Sequence, residues 1–147
     1  MKKANIFLDS SALIAGIISE AGAAHTLLQL GETEDIALKI SEAVFQETIR
    51  SIARKSRENL EDVQKEIQRS NIQILSDPSH EEIRANLYLM DDPDDVPILL
   101  AAVQAGVDYL ATHDHKHFLD DPKIAEQAGI RIGTPGDVLA WLRDALG

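Results

Sequence analysis

The sequence predicts an α/β fold with a mainly parallel sheet of about five strands, covered by helices on both faces. Three features carry this expectation. Five apolar runs of strand length are spread along the chain, amphipathic stretches with helical spacing lie between them, and helix start and stop residues stand at the junctions. Strand alternating with helix is the signature of parallel βαβ units, and right-handed crossovers then bring the strand C-terminal ends to one edge. Ligands of open α/β sheets sit outside that edge.

Ala4 to Leu8 is the first run, and it leads directly into Asp9, Ser10 and Ser11, residues that start helices well. Ile36 to Ile40 is the second, followed by a predicted helix over Ser41 to Ser56 with Val44, Ile49 and Ile52 on a helical spacing. Leu60 to Arg69 repeats the pattern with Val63 and Ile67, ahead of the third run, Ile72 to Leu75. Asp95 to Ala105 carries Ile98, Leu99, Ala102 and Ala105 at i, i+1, i+4 and i+7, and Gly106 stops it. Asp108 to Ala111 and Ile130 to Ile132 complete the strands. Gly133-Thr134-Pro135 then sets a capping Thr before a Pro at the first helical position, opening a last helix through Val138, Leu139 and Leu142.

Length and composition narrow the function classes. At 147 residues, with no repeat, low-complexity segment or Gly/Ser linker, one domain spanning 1–147 is expected. The chain has no cysteine, so a metal site must use oxygen or imidazole, and the composition suits a reducing cytoplasm. After Met1-Lys2-Lys3 the apolar stretch Ile6-Phe7-Leu8 is cut short by Asp9, too brief for a signal or a membrane span. A soluble, cytoplasmic protein is expected. The formal charge of −11 argues against indiscriminate binding to nucleic acid, which needs a basic surface.

Four acids stand out by position. Asp9 follows the first strand, and Asp114, in Thr112-His113-Asp114, follows the fourth, so both are expected at the same edge. Asp95 stands at a helix N-terminus, and Glu47 lies within the Ser41 to Ser56 helix. Singly, each has an ordinary reading as a helix cap or a solvated helix residue, and with 25 acidic residues some fall near strand ends by chance. Together at one edge they would repel one another and lose stability unless a cation sat among them. Hard oxygen ligands without thiolates favour Mg²⁺ or Mn²⁺ over Zn²⁺.

With these residues in order, the chain resembles the PIN-domain ribonucleases, in particular the VapC toxins of VapBC toxin–antitoxin pairs. The resemblance rests on Ile6-Phe7-Leu8-Asp9-Ser10-Ser11, on Val44-Phe45-Gln46-Glu47, on Asp95 through Ala102 to Gly106, and on Tyr109-Leu110-Ala111-Thr112-His113-Asp114. The tail Gly133-Thr134-Pro135-Gly136-Asp137-Val138-Leu139 looks like the family's final strand-to-helix junction. The resemblance implies a three-layer α/β/α domain whose acidic quartet, carried over onto Asp9, Glu47, Asp95 and Asp114, holds one or two divalent ions and hydrolyses RNA phosphodiester bonds. It also implies an antitoxin partner and a homodimer. Asp94 is the alternative third acid, because Asp91, Asp92, Asp94 and Asp95 crowd around Pro93. Ser10 and Thr112 match small hydroxyl positions that orient a carboxylate or water from behind. Where the family often has a further acid three residues after the fourth, this chain has His117.

His113, His115 and His117 alternate without the usual zinc spacing and read as a polar loop. His115 and Lys116 are candidate RNA contacts, as are Arg50, Arg54 and Lys55, part of a basic stretch continuing through Arg57, Lys65 and Arg69. The turn near Ser56 to Asn59 joins two helices whose apolar faces offer a groove for a partner helix or a dimer surface. The alternative function is a PIN-like scaffold that binds RNA or protein without cleaving, against which the intact quartet speaks. A phosphotransferase with an aspartyl nucleophile would carry a second acid two residues after Asp9, where Ser11 stands, and an adhesion-type metal site would need a hydroxyl at Leu13.

Overall fold

The computed structural model describes residues 3–146; Met1, Lys2 and Gly147 lie outside the described residues. Its centre is a five-stranded sheet of order β3-β2-β1-β4-β5, every neighbouring pair parallel. The strands are β1 (Ala4–Leu8), β2 (Ile36–Ser41), β3 (Gln73–Leu75), β4 (Tyr109–Ala111) and β5 (Arg131–Gly133). All five coincide with the predicted runs to within one residue at either end.

The central strand shows why. Ile6, Phe7 and Leu8 are each at most 1 % exposed, so side chains on both faces of β1 are covered, as a parallel strand beneath two helical layers requires. Ile6 pairs with Leu38 of β2 on one side and with Tyr109 of β4 on the other. The edge strand β3 is mostly exposed and correspondingly short.

Helices form the two outer layers. α1 (Ser10–Ile18), α2 (Ala23–Glu32), α3 (Glu42–Lys55), α4 (Leu60–Arg69) and α8 (Pro135–Leu146) pack on one another in one layer. α5 (His80–Ala85), α6 (Val96–Gln104) and α7 (Pro122–Ala128) form the other, with α6 packed on both companions and on β2. The architecture is thus three layers, α/β/α, around a continuous core that includes Phe7, Leu27, Leu38, Ile52, Leu99, Leu110 and Leu142. Among the described residues no single helix is long and apolar enough to cross a membrane.

The predicted helices are present: α3 and α6 are each one residue shorter than expected at both ends, α4 matches its range, and α8 opens at Pro135 as expected and runs past Leu142 to Leu146. α6 ends where Gly106 takes a φ of 65°, and Thr134 opens α8, its Oγ1 accepting from the Asp137 amide while Asp137 Oδ2 accepts from the Thr134 amide. α2, α5 and α7 go beyond the sequence reading, for two reasons. α5 and α7 have six and seven residues, too few for a helical period to declare itself. α2 is positioned by close packing: a Cβ on its Gly31 would lie 2.5 Å from Leu38 Cδ1 and 2.6 Å from the Ser70 carbonyl oxygen. Only glycine lets α2 approach β2 and the end of α4 this closely.

The winding sets the position of the site. From β1 the chain moves outward through β2 to β3, then crosses to the other side of β1 for β4 and β5. The direction reverses between β1 and β4, and the crevice beyond their C-terminal ends is the topological switch point of this sheet.

Candidate functional site

Asp9 stands at that reversal, immediately after β1. Its backbone amide bonds the Ala111 carbonyl of β4 at 3.0 Å, which ties the ends of the two strands together. Its side chain does two things at once. Oδ1 accepts from the Ser10 amide at 2.8 Å, as a cap on α1, and Oδ2 accepts from Thr112 Oγ1 at 2.9 Å and from Ser11 Oγ at 3.3 Å. Capping and site-building are therefore compatible for this residue.

Thr112, fully buried one residue past β4, is the hinge of the arrangement. Besides donating to Asp9, its Oγ1 accepts from the Asp114 amide at 3.0 Å and lies 3.2 Å from Ser11 Oγ. Ser11 Oγ in turn accepts from the His113 amide at 2.9 Å. Two hydroxyls thus lace the loop after β1 to the loop after β4. Ser10 reaches the other way, its Oγ donating to Glu47 Oε1 at 2.7 Å and fixing that carboxylate from α3.

Asp114 opens an irregular helical turn, His115–Leu119. Its Oδ1 accepts from the His117 amide at 3.0 Å and its Oδ2 lies 2.9 Å from His117 Nδ1. The same imidazole nitrogen is 3.9 Å from Asp95 Oδ2. Asp95 directly precedes α6 but makes no side-chain capping bond, and its Oδ2 is buried without a hydrogen-bond partner. Capping of the preceding turn falls instead to Asp92, whose Oδ1 accepts from the Asp94 amide. Asp94 is exposed and takes no part in the cluster, whereas Asp92, Asp95 and His117 offer ligand atoms within 4.8 Å of one another.

The electrostatics follow from this crowding. Burial pushes the Asp9 carboxyl up to about 6; the Thr112 and Ser10 hydrogen bonds pull against it, while the charges of Glu47 and Asp114 push further up. Burial also raises the Asp95 carboxyl, with His117 opposing and Asp92, Asp114 and Glu47 adding. His117 is raised by its hydrogen bond to Asp114 and by the charge of Asp95. Asp9 and Asp95 thus each feel the charges of Glu47 and Asp114. Among the described residues, His117 is the only basic side chain in ion-pair contact with any of them.

The predicted basic residues divide. Lys116 shares a small open cavity with Asp92, Asp95 and His117, and exposed His115 stands beside it next to Asp114, its ring 3.4 Å from Asp120 Oδ1. On α3 the exposed Arg50 is one turn beyond Glu47, but the helical rise sets Lys55 roughly 12 Å further along the axis. Arg54 and Lys55 are not brought to the acids. Three contributors went unassigned in the sequence: Ser11, Asp92 and His117. The only sequence signal for His117 was its place three residues after Asp114, and for Asp92 its place before Pro93.

This donor set fits a divalent cation. A buried carboxylate oxygen without a partner, a deeply buried Asp9 with a raised pKa, and converging hard oxygens leave negative charge that the protein itself only partly offsets.

Comparison with known proteins agrees on the fold. A structural likeness extends to a chain in the crystal structure of VapBC2 from Rickettsia felis bound to a DNA fragment from their promoter, with a TM-score of 0.61 at 17 % identity over 87 % of this chain and 96 % of that one. PAE2754 from Pyrobaculum aerophilum superposes with a TM-score of 0.62 at 18 % identity, over 96 % of this chain and 90 % of that one. No curated protein sequence matches the chain. The PIN domain family model matches residues 5–116, a span that runs from inside β1 to just beyond Asp114 and takes in all four acids. With most of its length covered by that model and the fold in agreement, the chain belongs to the PIN-domain family.

Proposed function

We propose that this protein is a divalent-metal-dependent ribonuclease, a cytoplasmic VapC-like toxin, in which Asp9, Glu47, Asp95 and Asp114 hold the ion. The observation that carries the reading is the convergence of four carboxylates at the sheet's switch point, with one oxygen buried and unpaired and no Lys or Arg in ion-pair contact with them among the described residues. Membership of the PIN-domain family and the likeness to a VapBC2 chain support the same reading, and the proposal extends to an antitoxin partner and a homodimer.

Mg²⁺ or Mn²⁺, when bound, supplies charge neutralisation at phosphate oxygens and acidifies water for in-line attack. The chain's own residues do the positioning. Thr112 and Ser11 fix Oδ2 of Asp9, Ser10 fixes Oε1 of Glu47, and the His117 amide fixes Oδ1 of Asp114, so the carboxylates need little rearrangement to receive a cation. Lys116 stands at the rim, where a substrate phosphate would meet it. The net charge of −11 suppresses nonspecific contact with phosphate backbones and favours selective over general cleavage.

The test is cleavage of a panel of structured RNAs in Mg²⁺ or Mn²⁺ by wild type and by Asp9→Asn. Ion-dependent cleavage by the wild type alone is expected. Full activity of clean Asp9→Asn protein would overturn the assignment.

A further inference from the structure

We infer that His117 is a metal ligand of this site, giving it a mixed nitrogen and oxygen donor set that prefers Mn²⁺ over Mg²⁺. The inference rests on the proposal that the four acids hold a divalent ion, and concerns which ion they hold.

The geometry around the imidazole carries it. Nδ1 lies 2.9 Å from Asp114 Oδ2 and 3.9 Å from Asp95 Oδ2, between two of the four acids. A cation shared by Asp95 and Asp114 would sit beside this nitrogen, whose lone pair can join the carboxylate oxygens in holding it. Asp95 Oδ2 faces this position with no other partner. Asp92 adds a further carboxylate within ligand range of Asp95 and His117.

His117 is also held in place. Its backbone amide is bonded to Asp114 Oδ1, and the next residue, Phe118, is 4 % exposed, anchoring the turn in the core. A histidine free to swing into solvent would have little influence on ion choice. One held by its backbone beside two carboxylates changes the donor chemistry of the site. Mg²⁺ favours oxygen donors and retains its waters, whereas imidazole suits the later divalent ions, so a nitrogen donor widens the margin of Mn²⁺ over Mg²⁺.

The experiment measures Mn²⁺ and Mg²⁺ affinities by calorimetric titration of wild type, His117→Asp and His117→Asn. Pulsed electron paramagnetic resonance of bound Mn²⁺ then reports directly on nitrogen coordination. In the wild type, ¹⁴N modulation is expected; it is retained in His113→Asn and lost in both His117 variants. The ratio of Mn²⁺ to Mg²⁺ affinity should fall roughly tenfold or more in His117→Asp, which restores an all-carboxylate set. Should one variant fail to fold, the other supplies both readouts. Wild-type binding of both ions without ¹⁴N modulation, or with an affinity ratio unchanged by the His117 substitutions, would overturn the inference and leave the acidic site intact. Failure of the wild type to bind either ion at millimolar concentration would overturn the underlying metal-site reading as well.

Discussion

The two halves of the acidic crevice are built differently. On the inner side, Asp9 and Glu47 are held by neutral donors: the Ser10 amide and the Ser10, Ser11 and Thr112 hydroxyls. On the outer side, Asp95 and Asp114 face an imidazole, and one Asp95 oxygen has no partner. Hydroxyls and amides keep their donor capacity across the physiological pH range, whereas an imidazole changes charge within it. The inner half is a fixed cradle and the outer half responds to its surroundings. This difference dictates how each half answers to substitution, pH and ions.

The largest effect is expected at the inner half. Asp9→Asn should reduce RNA cleavage by a factor of about 100 or more and at the same time stabilise the ion-free protein at neutral pH. The sign follows from the raised carboxyl. A folded value of about 6 against an ordinary 3.8 means that stability present below the ordinary value is lost as pH rises through about 6. The difference is about 3 kcal/mol as an order of magnitude. The stability gap between Asp9→Asn and wild type in chelator should therefore open between about pH 4 and pH 7 and stay flat above. Denaturant melts across that range check it, and a gap independent of pH would remove burial of charge as the cause.

Thr112→Val comes next. It leaves the Asp114 amide without its partner and Asp9 Oδ2 with only the longer Ser11 contact, and should destabilise the protein by about 1–3 kcal/mol. Thr112→Ser, which keeps the hydroxyl, should retain most of that stability. Equal losses in thermal melts of the two variants would show that the methyl, and not the hydrogen bonds, matters.

The outer half should show a smaller effect with a different pH response. His117 is raised above its ordinary 6.5 by its acidic neighbours, so its contribution is present below that value and is lost as pH rises through the folded value. His117→Asn should be less stable than wild type near pH 6, with the gap narrowing towards pH 9; solvent exposure keeps it small. A gap that widens with pH would contradict the pairing. The smallest change is expected for Lys116→Ala at the rim, a modest loss in RNA affinity that shrinks further as salt rises. Filter-binding measurements at two salt concentrations check it.

Much of the fold was legible because its signals are local. β1 reads as three consecutive buried residues, α6 as an apolar period ended by Gly106, and α8 as a Thr-Pro start. Asp9 and Asp114 were legible for the same reason: a strand end fixes which edge a residue reaches. Glu47 was harder, since a glutamate inside a helix says nothing about its neighbours until the Ser10 hydroxyl is brought against it. Separating Asp95 from Asp92 and Asp94 depended on how the short turn at Pro93 orients each side chain, with Asp92 bonding the turn and Asp95 left free to face inward. His117 depends on the irregular turn after Asp114, which no apolar period announces. Loops set by tertiary contacts, and the partners they select, lie beyond what spacing can express.

Whether these carboxylates act together on RNA through a divalent ion is decided by cleavage of one labelled RNA by wild type and Asp114→Asn, each in Mn²⁺ and in excess chelator. Cleavage is expected only from the wild type in Mn²⁺, with both proteins folded. Cleavage that survives chelation, or that Asp114→Asn retains at the wild-type rate, would contradict it.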